Sequence, residues 1–424
     1  MQRKIFQTLL LICMILLLGA QPATASEVKI MLNGQPATFV NSYLERGITM
    51  ISLNSFAKLS GAQIESLTAN TLNISKNNIN LALSLNETEA QLNGNTILLP
   101  TVPVKTAEEI FVPLRTLCNI FGYELKWDGA TETIELTINE TKDGMTPQEL
   151  LVKTNQASQE IDTFSLDGSF TIDMEVTSGN EKQVTMSGLK TTMLGQIQNQ
   201  PLQVHLIQTM ELPTLPGQES SQMITETYMT EEKIYFKVPG QAWAVQDMPI
   251  SPELWQQQRN IQSSLLDALN QGNALGGILS FSDDVIVNDK EYYVLNSAMN
   301  MDNFREAYEQ IWQLVMGSMT SPSGDPEEFQ QIVEQIMEGA KIDYYATTFI
   351  NKQTFLCDLT KFDINLDLLI DLSQMANNEP AEVGTEIPET IQMKMKMKGE
   401  FEIKDVGEPF VAPDVKDAVP LPGN

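Results

Sequence analysis

A repeated segment near the start of the chain constrains the fold more than any other feature. Residues 50–64 and 111–125 align without a gap, with apolar residues matching apolar residues and Gly61 matching Gly122. An apolar-periodic stretch followed by glycine predicts a helix that ends where the backbone turns left-handed. The repeat therefore predicts a duplicated module with one such helix in each copy.

Each copy also begins with the same turn signal. Leu-Asn-Gly stands at 32–34 and again at 92–94, between alternating apolar residues. Asn-Gly favours a two-residue hairpin turn, because both residues tolerate a positive φ angle. Hairpins around a helix make each copy α+β, and we place the duplicated module at residues 26–142.

The second copy carries the longer motif, whereas the first has Ser-Leu-Asn at 52–54 in place of Pro-Leu-Arg. The motif consists of Val112-Pro-Leu-Arg115, Phe121-Gly122, Leu125-Lys-Trp127-Asp128 and Thr133-Ile134. It resembles the stalk domain named after the N-terminal domain of copper amine oxidases, over residues 27–138. The resemblance implies a spacer or wall-associated adaptor of exported Gram-positive proteins.

Within this resemblance the motif residues are predicted to form a framework rather than a binding site. Arg115 is expected to pair with Asp128 or Glu132, and Trp127 is expected to pack against the helix. The catalytic copper site of those oxidases needs three histidines, and this chain has one, His205, so no such site can form. The predicted framework residues are Pro113, Arg115, Gly122, Trp127 and Asp128.

The first 25 residues have the three parts of a secretory signal peptide. Arg3 and Lys4 precede an apolar run at 5–18, and a small-residue cleavage triplet stands at 23–25. The run is shorter than the roughly 20 residues that span a bilayer, so we predict cleavage before Ser26. The mature protein is predicted to be secreted or held at the extracellular face of the cell envelope, with no transmembrane segment.

The formal net charge of −29 argues against several classes of partner. So acidic a chain is repelled by nucleic acids and by anionic lipid headgroups, and we predict no nucleic-acid partner. After the signal, the chain has two cysteines, Cys118 and Cys357, each flanked by apolar residues. We predict two buried thiols rather than a disulfide.

A second domain is predicted to begin at residue 143. Thr146, Pro147 and Glu149 form the capping box of a helix. Long alternating stretches follow, the most regular at 391–403. This alternation predicts an antiparallel sheet with one wet face and one covered or ligand-facing face. Helical patterns that begin near residues 251, 302 and 325 are predicted to cover the sheet.

This arrangement resembles the LolA-type lipoprotein-carrier fold, in which a curved, incomplete barrel surrounds an apolar cavity. The resemblance spans about 146–412 and comes closest to an uncharacterised family of Gram-positive envelope proteins. The stretch 413–420 also resembles the C-terminal end of those proteins. We therefore predict an α+β chain, with the duplicated stalk followed by a curved antiparallel sheet covered by helices. The sheet domain is placed at 143–412 and a tail at 413–424.

No catalytic or metal-binding motif stands out in the sequence, neither a nucleophile elbow, a phosphate loop, a paired-cysteine zinc site nor a His-Glu helix motif. Asp283-Asp284 and the acids at 325–328 lack the spacing of a calcium loop, and are predicted to form a turn and a helix start. We predict a non-enzymatic protein without metal or cofactor. A cell-wall hydrolase is an alternative, because two carboxylates need only meet in space.

Methionine is the distinctive residue of the second domain. Its flexible thioether suits surfaces that accept varied apolar shapes, although it also fills ordinary cores. We predict a face that binds a lipid or acyl chain; a structural or cell-wall interaction protein with a filled core, bound to an envelope partner, is the main alternative. The predicted face consists of Met174, Met210, Phe236, Ile391, Met393, Met395, Met397 and Phe401.

Overall fold

The computed structural model describes the chain from residue 28 to residue 421 with gaps. The described residues are 28–66, 68, 70–106, 109–178, 181–211, 222–248, 277–299, 340–371 and 390–421. The predicted signal peptide at 1–25 lies outside them. The helices predicted to begin near residues 251, 302 and 325 also lie outside them.

The stalk module contains short strands around two helices. Its elements are β1 (Lys29–Leu32), β2 (Gln35–Pro36), β3 (Ser42–Glu45), β4 (Ile48–Ser52), α1 (Leu53–Ser60), β5 (Gln63–Ser66), β6 (Thr71–Lys76), β7 (Ile79–Ser84), β8 (Glu89–Leu92), β9 (Asn95–Leu98), β10 (Val104–Lys105), β11 (Ile110–Pro113), α2 (Leu114–Phe121), β12 (Glu124–Asp128) and β13 (Thr133–Thr137). They form sheets in the orders β12-β13-β1-β2, β10-β11-β4-β3 and β5-β6-β7-β8-β9.

The two copies of the repeat are interlocked. β1 of the first copy pairs in parallel with β13 of the second, and the strands that precede the helices, β4 and β11, pair with each other. Both predicted hairpin turns form, with Asn33 and Asn93 at φ angles of 49° and 48°. Both helices end at a left-handed glycine, Gly61 or Gly122. Because all three sheets contain strands from both copies, neither copy can be removed without breaking the other.

The core of the stalk lies between the helices and these sheets. Phe56, Leu59, Leu114 and Leu117 are buried there. Cys118 is buried among them as a free thiol, and burial raises its pKa to about 12. The prediction of a buried thiol is therefore confirmed for Cys118, whereas the other free thiol, Cys357, is only half-buried.

The second part of the chain is a long, curved, open sheet with one described helix. Its elements are α3 (Pro147–Gln159), β14 (Thr163–Ser178), β15 (Glu181–Gln198), β16 (Gln203–Glu211), β17 (Gln222–Thr230), β18 (Lys233–Lys237), β19 (Ala244–Asp247), β20 (Gly277–Val287), β21 (Lys290–Met299), β22 (Ala340–Asn351), β23 (Cys357–Asp371), β24 (Thr390–Lys404) and β25 (Val419–Pro420). In the described residues these twelve strands form one sheet in the order β20-β21-β22-β23-β24-β14-β15-β16-β17-β18-β19-β25. All neighbours are antiparallel except β19 and β25. The predicted α+β class is confirmed.

Helix α3 begins as the sequence predicts. Thr146 accepts the backbone N–H of Glu149, and the Glu149 carboxylate accepts the backbone N–H of Thr146. Its buried Leu150 packs with Phe281, Leu295 and other residues of β20 to β22. The helix therefore covers one end of the sheet.

A bulge at Asp358 interrupts the pairing of β22 with β23, because Phe349 pairs with Leu359 while Ile350 pairs with Cys357. Two local predictions need correction. Asp283-Asp284 is not a turn but a bulge inside β20. The segment 413–424 is not merely a tail, because the backbone N–H of Val419 donates to the carbonyl of Trp243 at 2.8 Å and adds β25 to the sheet.

Candidate ligand-binding face

The long strands place the predicted apolar residues on a single face of the sheet. In β24, Met395 lies directly opposite Met174 of β14 on one side and Leu366 of β23 on the other. Met393 and Met397 are the next residues of β24 on the same face, because side chains alternate between faces along a strand. We call this surface, with its neighbours on β14, β22 and β23, the apolar face.

The centre of the apolar face is a closely packed cluster. Met393 and Met395 are 1% and 8% exposed, whereas Met174, Met397 and Phe401 are half-buried. The buried members are Ile342, Ala346, Phe362, Ile364, Leu366, Leu368, Ile370, Met393 and Met395. The partly buried members are Phe170, Ile172, Met174, Val176, Tyr344, Met397 and Phe401.

Three predicted residues share the face but are not members of this cluster within the described structure. Met210 is on β16, where it pairs with Thr191. Phe236 is on β18, four strands from β14, and is 37% exposed. Ile391 lies at the start of β24, opposite Ile370. Alternation correctly predicts the face of a residue, but the pairing of strands decides its distance from the centre.

Two aromatic residues outside the predicted set, Phe170 and Phe362, join Phe401 at one end of the cluster. The rings of Phe362 and Phe401 stack with centroids 5.1 Å apart, and Phe170 lies 6.1 Å from Phe401. Phe401 covers Gly168, where an added Cβ would lie 2.4 Å from its Cδ1 atom. The sequence signal for these positions is the alternation in β14 and β23, which places Phe170 and Phe362 on the same face as Met174.

The opposite face of the same strands is charged. Lys394, Lys396 and Lys398 alternate with the methionines, as predicted, and are exposed. Lys404 lies 3.0 Å from Asp167 and 2.9 Å from Glu402, and these hydrogen bonds raise its pKa. A cavity of about 620 Å³ lies on this face, between residues that include Thr171, Lys190, Lys361 and Glu400.

The lone histidine also lies on the charged face. His205 Nε2 is 2.8 Å from a carboxylate oxygen of Glu226. The ring makes an edge contact with Tyr228, and the side chain is 18% exposed. His205 is therefore held in a cross-strand pair with Glu226 rather than freely solvated. On the neighbouring strand β15 it lies opposite Gln196.

The predicted framework residues of the stalk have mixed outcomes. Pro113 is buried immediately before α2, and Gly122 ends that helix. Asp128 accepts hydrogen bonds from the backbone N–H of Ala130 and the hydroxyl of Thr131, which lower its pKa. Each of these three positions has a structural role in a turn or helix boundary.

The other two framework residues, Arg115 and Trp127, are exposed. Trp127 is 49% exposed on β12, an edge strand, and does not pack into the core with the helix. Arg115 is exposed, and within the described chain no ion pair joins it to Asp128 or Glu132. The motif identifies the module, but it does not show which of its side chains face solvent.

Within the described ranges, no group of three or more His, Cys, Asp or Glu side chains could hold a metal ion. No helix among those residues is both long and apolar enough to span a bilayer. The observed arrangement on the apolar face can bind apolar groups by contact.

Two family models match the chain in separate ranges. The Copper amine oxidase N-terminal domain matches residues 31–136, which confirms the predicted resemblance of the stalk. DUF6612, described as a family of unknown function, matches residues 146–417. No curated protein is significantly similar to the chain.

Two solved structures have low overall similarity to the second part of the chain. The lipoprotein LppX of Mycobacterium tuberculosis is 9% identical with a TM-score of 0.27, covering 63% of this chain and 98% of its own. A domain described as an outer membrane lipoprotein-sorting protein domain, from Vibrio parahaemolyticus, is 6% identical with a TM-score of 0.20, covering 64% and 98%.

Proposed function

The chain belongs to DUF6612, the family of unknown function, through residues 146–417, and we propose that this part of it binds an acyl chain or a similar apolar ligand on the apolar face. The stalk carries this domain on an exported protein at the outer face of the cell envelope. The protein acts by binding and release, and not as an enzyme.

One observation carries the proposal: the packing of methionines at the centre of the face. Met393, Met395 and Met397 follow one another on β24, and Met174 faces Met395 across the strand pair. Thioether side chains adapt to ligands of different shape more readily than branched aliphatic ones. The half-buried Met174, Met397 and Phe401 offer apolar atoms next to the fully buried ones.

The energetics suit a ligand that is carried and released. Burying roughly 14 methylene groups at about 0.8 kcal/mol each yields on the order of 11 kcal/mol before costs. Association and ordering remove at least about 4 kcal/mol of this. The remainder corresponds to an affinity in the micromolar range. Because the chain has a net charge of −29, binding should depend on the length of the acyl chain rather than on an anionic headgroup.

A single substitution with a matched control tests this function. Met395→Lys places a charge at the centre of the apolar face, whereas Met223→Lys places one on the same face at a position that is 44% exposed. Binding of a 14-carbon fatty acid is measured by native mass spectrometry, and stability by thermal melting. If the face binds ligand, Met395→Lys abolishes the complex while Met223→Lys leaves it intact.

A filled core is the second candidate, and the burial of the same residues favours it. Met393 and Met395 are as buried as the core residues of the stalk. An unpaired charge buried at Met395 then costs several kcal/mol of stability. A large loss of stability in Met395→Lys, together with no fatty acid on the wild type, would assign this domain a structural role.

A further inference from the structure

The two helix ends of the repeat differ in what surrounds them. Gly61 and Gly122 both end a helix in the left-handed region, at φ angles of 70° and 76°. A Cβ added to Gly61 would lie 2.2 Å from the carbonyl oxygen of Phe281 and 2.9 Å from Nδ2 of Asn296. A Cβ added to Gly122 would meet nothing within 4 Å. The first copy therefore presses against β20 and β21, and the second copy leaves the equivalent position open.

A chain of hydrogen bonds crosses this contact. The Ser282 hydroxyl donates to the carbonyl of Gly61 at 2.7 Å and accepts from Asn296 Nδ2 at 2.8 Å. The Thr347 hydroxyl donates to Asn296 Oδ1 at 2.9 Å. Ser282 and Asn296 are 7% and 1% exposed. A buried polar side chain that loses its partner is costly, so these bonds tie the helix end to three successive strands.

Apolar packing is also continuous across the contact. Ile278 of β20 and Ala298 of β21 are buried in the same cluster as Phe56 and Leu59 of the stalk. Tyr345 of β22 packs against this cluster, with Lys58 Nζ 5.6 Å from its ring centroid. Tyr345 pairs with Asp363 and therefore lies on the charged face of the sheet. The stalk core thus extends onto the charged face of β20, β21 and β22, opposite the apolar face.

The bulge in β20 supplies the ionic part of the contact. Asp283 and Asp284 stand between Ser282 and Val285, opposite the single residue Tyr293, which is where the register shifts. Asp283 accepts the backbone N–H of Asn77 at 2.9 Å. Asp284 pairs with Lys142, just before the second domain, and with Lys352 at 2.6 Å. Bulges commonly redirect side chains out of a regular ladder, and here they direct two carboxylates to the stalk.

The first copy has a buried charge beside the contact. Lys76 is 1% exposed; its ammonium donates to the carbonyl of Ser60 and pairs with Glu140 at 2.6 Å. Burial lowers the pKa of Lys76, and Glu140 opposes that shift. The positions of Ser60 and Lys76 in the second copy hold Phe121 and Thr137. The copies therefore differ where the first one meets the sheet.

From these differences we infer that the stalk is a fixed cap on the terminal strands β20, β21 and β22, held by the first copy of the repeat, and not a mobile spacer. The function of the stalk in this chain is to cover Ile278, Ala298 and the bulge of β20, the strand at one end of the sheet. Terminal strands with exposed apolar side chains associate with other chains. The second copy leaves its own helix end exposed to solvent.

Two equivalent substitutions in the full chain test this inference. Gly61→Ala and Gly122→Ala force alanine into the same left-handed backbone, so their local strain is alike. Only Gly61→Ala also collides with Phe281. Hydrogen exchange of the 278–282 amides should become about tenfold faster or more in Gly61→Ala and stay unchanged in Gly122→Ala. Trypsin cleavage after Lys142, whose side chain is 17% exposed, should follow the same pattern.

A milder variant keeps the inference testable if Gly61→Ala fails to fold. Ser282→Ala removes one hydroxyl from the contact and should accelerate both readouts, by a smaller factor than Gly61→Ala. Equal exchange at 278–282 in the two glycine variants, with no effect of Ser282→Ala, would show that the stalk moves independently. Rapid trypsin cleavage after Lys142 in the wild-type protein would overturn the inference as well.

Discussion

Met395 on β24 lies directly opposite Met174 on β14, although 221 positions separate them in the sequence. The pair joins the first long strand of the second domain to the last long one, and Leu366 of β23 flanks it. Strands that are distant in sequence thus meet in the middle of the sheet. The apolar face depends on this pairing, so it can form only when β14 and β24, from the two ends of the domain's sequence, are both in place.

Gly168→Ala should destabilise the second domain. A Cβ at this position would lie 2.4 Å from Cδ1 of Phe401, and the ring would have to leave its stack with Phe362. Such overpacking costs about 1–3 kcal/mol. Gly277→Ala is the control, since a Cβ there meets nothing within 4 Å. Urea unfolding midpoints measure the difference, and equal midpoints would contradict the packing described for Phe401.

Lys76 and Glu140 should behave as a coupled pair. Glu140→Gln leaves an ammonium that is 1% exposed without its counter-charge, and breaking such a pair costs about 3–5 kcal/mol. The double variant Lys76→Met with Glu140→Gln removes the buried charge and should recover most of that loss. A double-mutant cycle by chemical denaturation gives the coupling; additive effects of the two single changes would refute it.

Cys118 should resist alkylation in the folded protein. Burial raises the pKa of its thiol from 9.0 to about 12, so thiolate is scarce at pH 8. Folding stability from this burial is complete below pH 9.0 and is lost as the pH rises toward about 12, because only the unfolded thiol ionises in that window. Iodoacetamide labelling with mass mapping checks it, with urea-unfolded protein as the labelled control. Rapid labelling of native Cys118 at pH 8 would be inconsistent with its position in the core.

Trp127→Ala should leave stability almost unchanged, within about 0.5 kcal/mol, because the side chain is 49% exposed at a sheet edge. Leu117→Ala, in the adjoining helix, should cost about 2–5 kcal/mol, because Leu117 is 1% exposed. Thermal melts of the two variants provide the comparison. A large destabilisation by Trp127→Ala would restore the framework role first expected of this residue.

Local patterns predicted most of the elements but few of the contacts between them. Asn-Gly pairs and helix-ending glycines located the hairpins and helices of the stalk, because these turns depend on nearby backbone angles. Alternation placed Met174 and Met395 on one face for the same reason. It could not place Phe236 away from the centre, because strand order is set by long-range pairing.

The contact between the two parts of the chain lay beyond sequence analysis for a similar reason. Gly61 and Gly122 are equivalent in sequence, and only the fold brings Phe281 against one of them. The aspartates at 283–284 gave a charge signal, but their partners Lys142 and Lys352 are far away in the chain. Trp127 is the opposite case: it belongs to a motif that is recognisable in the sequence, yet its side chain is exposed rather than in contact with the core.

The most direct test of the central claim is a native mass spectrum of the wild-type full chain titrated with fatty acids of increasing length. The proposed function predicts a one-to-one complex whose dissociation constant falls into the micromolar range near 14 carbons, about −7 kcal/mol of binding free energy. It also predicts that an uncharged acyl alcohol of equal length binds about as well. No complex at any length, with Met395→Lys severely destabilised, would contradict the claim and leave the apolar face as a filled core.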